Sequence, residues 1–208
     1  MVTLLVAGHE TTATALAWTL DLLTQHPSAM TALVGALDGL GPDPTPARIA
    51  ALPYLDAVIR ESLRLRPVVP MIGRTFRDSV RIDGYDLPAG QTVMGSIYLA
   101  QRRGDVFPEP DAFRPERFLG GLPTPFEWFP FGGGIRKCLG MAFALYEMKM
   151  VLATLLGEVT VRAASRKPTG VVRRSITLAP AEGLPLVLTR RAYAQRRGSM
   201  HTPSSQNP

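Results

Sequence analysis

Residues 131–140, FGGGIRKCLG, set the chain's only cysteine, Cys138, between a run of three glycines and an apolar stretch of helical period. Glycines open backbone conformations closed to other residues and let the main chain approach whatever lies over it. A thiol at the start of a helix faces unpaired N–H groups and the positive end of the helix dipole, and Arg136 and Lys137 precede it here, so all three influences favour the thiolate. Phe131 adds an aromatic face that can shield the sulfur from water. The segment suits a metal–thiolate bond beneath something flat and bulky. It equally suits an inert cysteine packed at a helix start, and the cysteine alone does not choose between the two.

The rest of the chain reads mainly as helix with a few short strands. Glu10 to Gln25 carries Leu16, Leu20 and Leu23 at helical steps and stops before Pro27. Ser28 to Leu40 follows, closed by Gly39 and Gly41. A short helical turn is expected from Pro46 with Thr45 as its cap, and a clearer helix from Pro53 to Arg66, ended by Pro67. Val68 to Ser96 reads as short strands with a hairpin turn at Asp83–Gly84. Residues 104–130 hold six prolines and no clean period, which predicts a long ordered meander. Leu139 to Leu156 returns to helix, and strand-like runs at Ser175–Leu178 and Leu186–Thr189 flank PAEGLP. There are no internal repeats.

Composition narrows the function classes. With 208 residues and 46% apolar content the chain can bury a core, and one cysteine allows no internal disulfide. The opening MVTLLVAGHETT lacks a basic leader, and its apolar run ends at His9 and Glu10, short of the roughly 20 residues a membrane span needs. No membrane segment is therefore expected in this chain. The net charge of +6 is uneven: residues 1–159 carry 14 basic and 16 acidic side chains, residues 160–208 carry 9 and 1. The basic end lacks aromatic interleaving and any nucleic-acid motif, so residues 191–208 are expected to be a disordered basic and polar tail, with no nucleic-acid partner. His9, His26 and His201 show no metal spacing, and GGGIRKC lacks the ending of a phosphate-binding loop.

Four short patterns occur in order. AGHETT spans Ala7 to Thr12, E-x-x-R spans Glu61 to Arg64, FRPERF spans Phe113 to Phe118, and F-x-x-G-x-R-x-C-x-G is met by Phe131, Gly134, Arg136, Cys138 and Gly140. Each is weak alone, but together, in this order and spacing, they leave little room for chance. The chain resembles the cytochrome P-450 superfamily from Met1 to about Arg190, over only the C-terminal half of the family's usual length. Only three of the 23 basic residues are lysines, which with the Ala, Gly and Pro richness suggests a GC-rich bacterial genome.

The resemblance implies a mainly α fold with small β-sheets (α+β), running from the family's central oxygen-binding helix to its last β-hairpin. It implies haem b held through Cys138 as axial ligand of the iron, with Phe131, Gly134 and Gly140 shaping the loop and Arg136 and Arg74 placed for the haem propionates. Ala7 and Gly8 match the distal oxygen groove, which a Thr11 hydroxyl bonding back to the Ala7 carbonyl can help open, and Glu10 with Thr11 matches the proton-relaying acid–alcohol pair. Glu61, Arg64 and Arg117 match a buried structural triad. Val68–Ile72 and Ser175–Leu178 match segments lining an apolar substrate pocket. The implied activity is insertion of one atom of dioxygen into an apolar small molecule, with electrons from a ferredoxin or flavoprotein, in the cytoplasm. The alternatives are a truncated, inactive remnant of such an enzyme, or a haem-binding module without oxygenase activity. One departure stands out: Gln101 occupies a position where many relatives have histidine, which is expected to leave the chemistry untouched.

Overall fold

The computed structural model describes residues 2–121, 123–165 and 167–191, with residues 2–7 given by their helical backbone alone. The expected tail beyond Arg191 therefore lies outside the described residues. Arg191 itself is held. Its N–H reaches the Glu158 carbonyl at 3.0 Å, and its guanidinium reaches the Leu156 carbonyl at 2.9 Å and Asp38 at 2.6 Å.

Proline sets the rhythm of the helical half. Helix α1 (Val2–Gln25) is followed by α2 (Pro27–Asp38), α3 (Pro46–Ala50) and α4 (Pro53–Leu65), the last three each starting on a proline, where a missing N–H costs nothing. Thr45 caps α3 by accepting the Arg48 N–H at 3.4 Å, as the sequence predicts. Helix α1 begins eight residues before the predicted Glu10, because its first turns are apolar without a polar period to mark them.

The strands come in four separate two-stranded antiparallel pairs: β1 (Met71–Thr75) with β4 (Thr92–Ser96), β2 (Val80–Ile82) with β3 (Tyr85–Leu87), β5 (Val159–Ala163) with β8 (Leu186–Arg190), and β6 (Val171–Arg174) with β7 (Thr177–Pro180). The predicted Asp83–Gly84 hairpin is present. Ile82 faces Tyr85, and both loop residues have positive φ, 48° and 82°, the twist a two-residue hairpin needs. The two late runs predicted as strands do not pair with each other. Only Thr177 and Leu178 of the Ser175–Leu178 run fall in β7, paired with β6, while Ser175 and Ile176 make the turn between them; β8 returns to β5, and both partners are strands the sequence pattern did not reveal.

Helix α4 is the centre of the core. It packs on α1, α2 and α6 (Met141–Glu158) and buries Leu55, Val58, Ile59, Leu63 and Leu65 against Leu22, Leu33, Met148 and Leu152. Helix α5 (Ile97–Ala100) leads into the meander, which among its described residues holds one 3-10 turn, Pro115–Phe118, before the cysteine loop.

Candidate functional site: a thiol loop pinned to a buried ion network

The site is built outward from α4. Glu61 and Arg64, three residues apart, lie on one helical face and are both fully buried. Their contact is two-pronged, Arg64 Nε to Glu61 Oε2 at 2.7 Å and Nη2 to Oε1 at 2.9 Å. The remaining guanidinium hydrogens reach the carbonyls of Gln101 at 2.9 Å, Pro110 at 2.7 Å and Ala112 at 3.2 Å. Glu61 Oε1 also accepts Arg117 Nε at 3.0 Å and the Arg114 N–H at 2.9 Å, and Arg117 continues to the carbonyls of Pro108, Glu109 and Ala112. A charge pair sealed from water costs several kcal/mol unless its other hydrogens are bonded. Here the meander supplies those bonds, and in return is held against α4.

The cysteine loop hangs from the same helix. Trp128 donates from Nε1 to the Arg60 carbonyl at 3.1 Å and meets Phe118 and Phe131 edge-on, with centroids 6.1 and 6.3 Å away. Phe131 is half-buried, and its carbonyl accepts the Cys138 N–H at 3.0 Å. Between them Gly132 and Gly134 take φ of +71° and +65°, conformations that favour glycine, and Gly134–Arg136 makes one 3-10 turn. Cys138 is exposed. Helix α6 begins two residues later than predicted, with Gly140 at its N-cap, so Cys138 precedes the cap by two residues rather than occupying it. A Cβ on Gly140 would stand 3.9 Å from the sulfur, so the absent side chain leaves that flank of the thiol open.

Around the thiol the surface is apolar and uncovered. Ile135, Leu139 and Phe143 are 102%, 93% and 71% exposed, and Tyr146 and Val151 continue the stripe along α6. Arg136 is exposed on the same loop. Arg74 is exposed on β1, donating to the Gly73 carbonyl at 2.8 Å. Helix α1, which packs on α6, runs unbroken through Gly8–Thr12, with Gly8 and Glu10 exposed and Thr11 half-buried. The Thr11 hydroxyl donates to the Gly8 carbonyl at 3.4 Å. Ala7 belongs to the turns whose side chains are not described. A Cβ on Gly8 would meet no atom within 4 Å, so packing among the described residues does not require glycine there.

Val68–Ile72 and Ser175–Leu178 are brought together: the Leu178 N–H reaches the Val68 carbonyl at 2.8 Å, and Trp18 Nε1 reaches the Leu178 carbonyl at 2.9 Å. Two polar residues near the end of α4 have a structural task that the sequence reading did not foresee. Gln101, fully buried, donates to the carbonyls of Leu63 and Arg64, and Arg102 donates to that of Leu65 at 2.6 Å, so together they close the helix's last carbonyls. No spacing pattern marks either.

Haem fits these residues. Among the described residues no group of three or more His, Cys, Asp or Glu could hold a metal ion. The open thiol, the missing side chain at Gly140, the bare apolar flanks and the exposed guanidinium of Arg136 suit an apolar disc with carboxylate substituents.

Comparison with known proteins agrees. The cytochrome P-450 family model matches residues 1–183, and the chain belongs to that family. It is 41% identical over 184 residues to a Mycobacterium tuberculosis protein described as cytochrome P-450 135B1, covering 88% of this chain and 38% of that protein. It is 41% identical over 183 residues to another from the same organism described as cytochrome P-450 137, covering 88% and 36%. The crystal structure of the cytochrome P-450DA haem domain superposes with a TM-score of 0.84 at 31% identity, over 91% of this chain and 43% of that one. The chain thus spans about two fifths of the length of these curated relatives, and the mainly α fold with small sheets is the family's.

Proposed function

We propose that residues 1–190 are the C-terminal part of a haem-thiolate monooxygenase domain that inserts one atom of dioxygen into an apolar organic substrate. The observation that carries this reading is the exposed Cys138 thiol, presented on a glycine-turned loop that Trp128 hangs from α4, beside a meander that the buried Glu61–Arg64–Arg117 network fastens to the same helix. Haem b, when bound, supplies the reduction of dioxygen and the transfer of its oxygen atom. Cys138 ligates the iron as thiolate and pushes electron density toward it. Arg136 and Arg74 pair with the propionates. Phe131 keeps water from the sulfur while bridging to Trp128. On α1, Gly8 leaves room for dioxygen, and Glu10 and Thr11 hand protons inward from solvent, the Thr11 hydroxyl being oriented by its bond to the Gly8 carbonyl.

Electrons come from a ferredoxin or flavoprotein donor, and the substrate is held in part by the apolar segments Val68–Ile72 and Ser175–Leu178. No helix among the described residues is long and apolar enough to cross a membrane, which supports a cytoplasmic setting. The activity is assigned to the whole domain, of which this chain matches about two fifths. The test is Cys138→Ser in the complete protein. The reading requires the ferrous–CO absorption band of thiolate-bound haem in the parent and its loss in the variant, and a retained band would remove its foundation.

A further inference from the structure

Gln101 stands where the end of α4, the meander and the entry to the cysteine loop meet, and it is fully buried there. Its side-chain amide turns both donor hydrogens to α4, reaching the carbonyls of Leu63 at 3.3 Å and Arg64 at 3.2 Å. Its acceptor oxygen takes the Phe129 N–H at 3.1 Å. Its own main-chain carbonyl takes Arg64 Nη1 at 2.9 Å. From Phe129 the bonds continue into the loop: the Phe129 carbonyl accepts the Gly132 N–H at 2.9 Å, and the Phe131 carbonyl accepts the Cys138 N–H at 3.0 Å. A carboxamide supplies two donors and an acceptor in one rigid plane, which is what three remote backbone groups require of it here.

We infer that Gln101 is a positioning residue for the Cys138 thiol: its carboxamide ties the entry of the cysteine loop to the end of α4, so the sulfur is held in place through a relay of backbone bonds. The purpose of this tie rests on the reading of Cys138 as iron ligand, but its test does not. Leucine at this position would leave the Phe129 N–H and two helix-end carbonyls buried and unpaired. Histidine keeps one donor and one acceptor, enough to hold Phe129 and one α4 carbonyl.

The experiment uses the 208-residue chain without haem, where Cys138 is the only thiol. It combines peptide-resolved amide hydrogen exchange over residues 129–138, which reads each segment in monomer and oligomer alike, with the rate of alkylation of Cys138 by iodoacetamide. For Gln101→Leu the loop amides should exchange about tenfold faster through local opening, with a changed alkylation rate. Gln101→His should return both to within about twofold of the parent. Leu33→Ala, which opens the core at a distance, lowers global stability but should leave both readouts alone, and this separates positioning from general support. Unchanged loop exchange in Gln101→Leu, or an equal rise in Leu33→Ala, overturns the inference. If Gln101→Leu does not fold, Gln101→His decides alone: a tight loop supports the relay, and a loosened loop in a stable protein refutes it. Failure of the ligand reading would show separately, as a thiolate-type haem band that survives Cys138→Ser.

Discussion

Replacing Glu61 should be among the most damaging single changes available in this chain, and the reason can be worked through bond by bond. Its two oxygens accept four hydrogen bonds, three from the guanidinium groups of Arg64 and Arg117 and one from the Arg114 N–H. Glu61→Gln keeps the volume and one acceptor oxygen, but sets an NH2 donor against arginine donors and removes the anion between two cations. Stranding a buried charge in this way costs roughly 3–5 kcal/mol. In urea, with a slope of about 2 kcal/mol per molar, that moves the unfolding midpoint down by roughly 1.5–2.5 M. Arg117→Met should cost less, about 1–2 kcal/mol, because Arg117 reaches partly to the surface and Glu61 keeps Arg64. Replacing Glu61 and Arg64 together by leucine should not restore stability, unlike many buried pairs, because the carbonyls of Gln101 and Pro110 would lose their donor. Equilibrium urea denaturation followed by circular dichroism reads all three. A Glu61→Gln loss under about 1 kcal/mol, or an Arg117→Met loss as large as it, would refute the view that the meander is fastened by a sealed charge network.

Three further outcomes follow. Asp56, on α4, faces Arg60 and, at 2.7 Å, Lys149 of α6; burial works to raise its pKa, but the hydrogen bonds and charges of those two cations outweigh it and hold it below its ordinary 3.8. A depressed carboxylate contributes stability above its unfolded pKa and loses it as pH falls through the lowered folded value. Asp56→Asn should therefore be less stable than the parent at neutral pH, with the gap closing below about pH 4, and a gap independent of pH in thermal melts would count against this. In the complete enzyme Thr11→Ala should leave haem binding intact but divert reducing equivalents to hydrogen peroxide, lowering product per NAD(P)H by roughly tenfold or more, and an unchanged ratio would reject the relay. The bare stripe Ile135, Leu139, Phe143 and Tyr146 should bind a hydrophobic dye in the isolated chain, and Phe143→Glu should weaken both dye binding and self-association. Equal fluorescence in the two proteins would show the stripe to be covered.

What could be read from the sequence, and what could not, divides along a physical line. The cysteine loop was visible because its requirements are local: positive φ at Gly132 and Gly134 and a thiol just before a helix leave their mark within ten residues. Glu61 and Arg64 were half visible, since a three-residue spacing shows a shared face but not that the face is sealed. The sealing comes from Pro110, Ala112 and Arg117, some fifty residues on. Strand β5 was hidden because it follows α6 directly, with no loop between Glu158 and Val159, and its partner β8 is remote in the chain, where the turn at PAEGLP suggested a nearer pairing. Gln101 was visible only as a departure from the family's usual histidine and was expected to change nothing. Apart from its own N–H, which closes α5 on the Ile97 carbonyl, its bonds run to groups far along the chain, the Leu63 and Arg64 carbonyls, the Arg64 guanidinium and the Phe129 N–H. A side chain whose whole task is to join distant backbone has no periodicity to betray it. Polar residues of this kind, buried just after a helix and followed by a proline-rich meander, are therefore the ones most worth mutating even when no motif contains them.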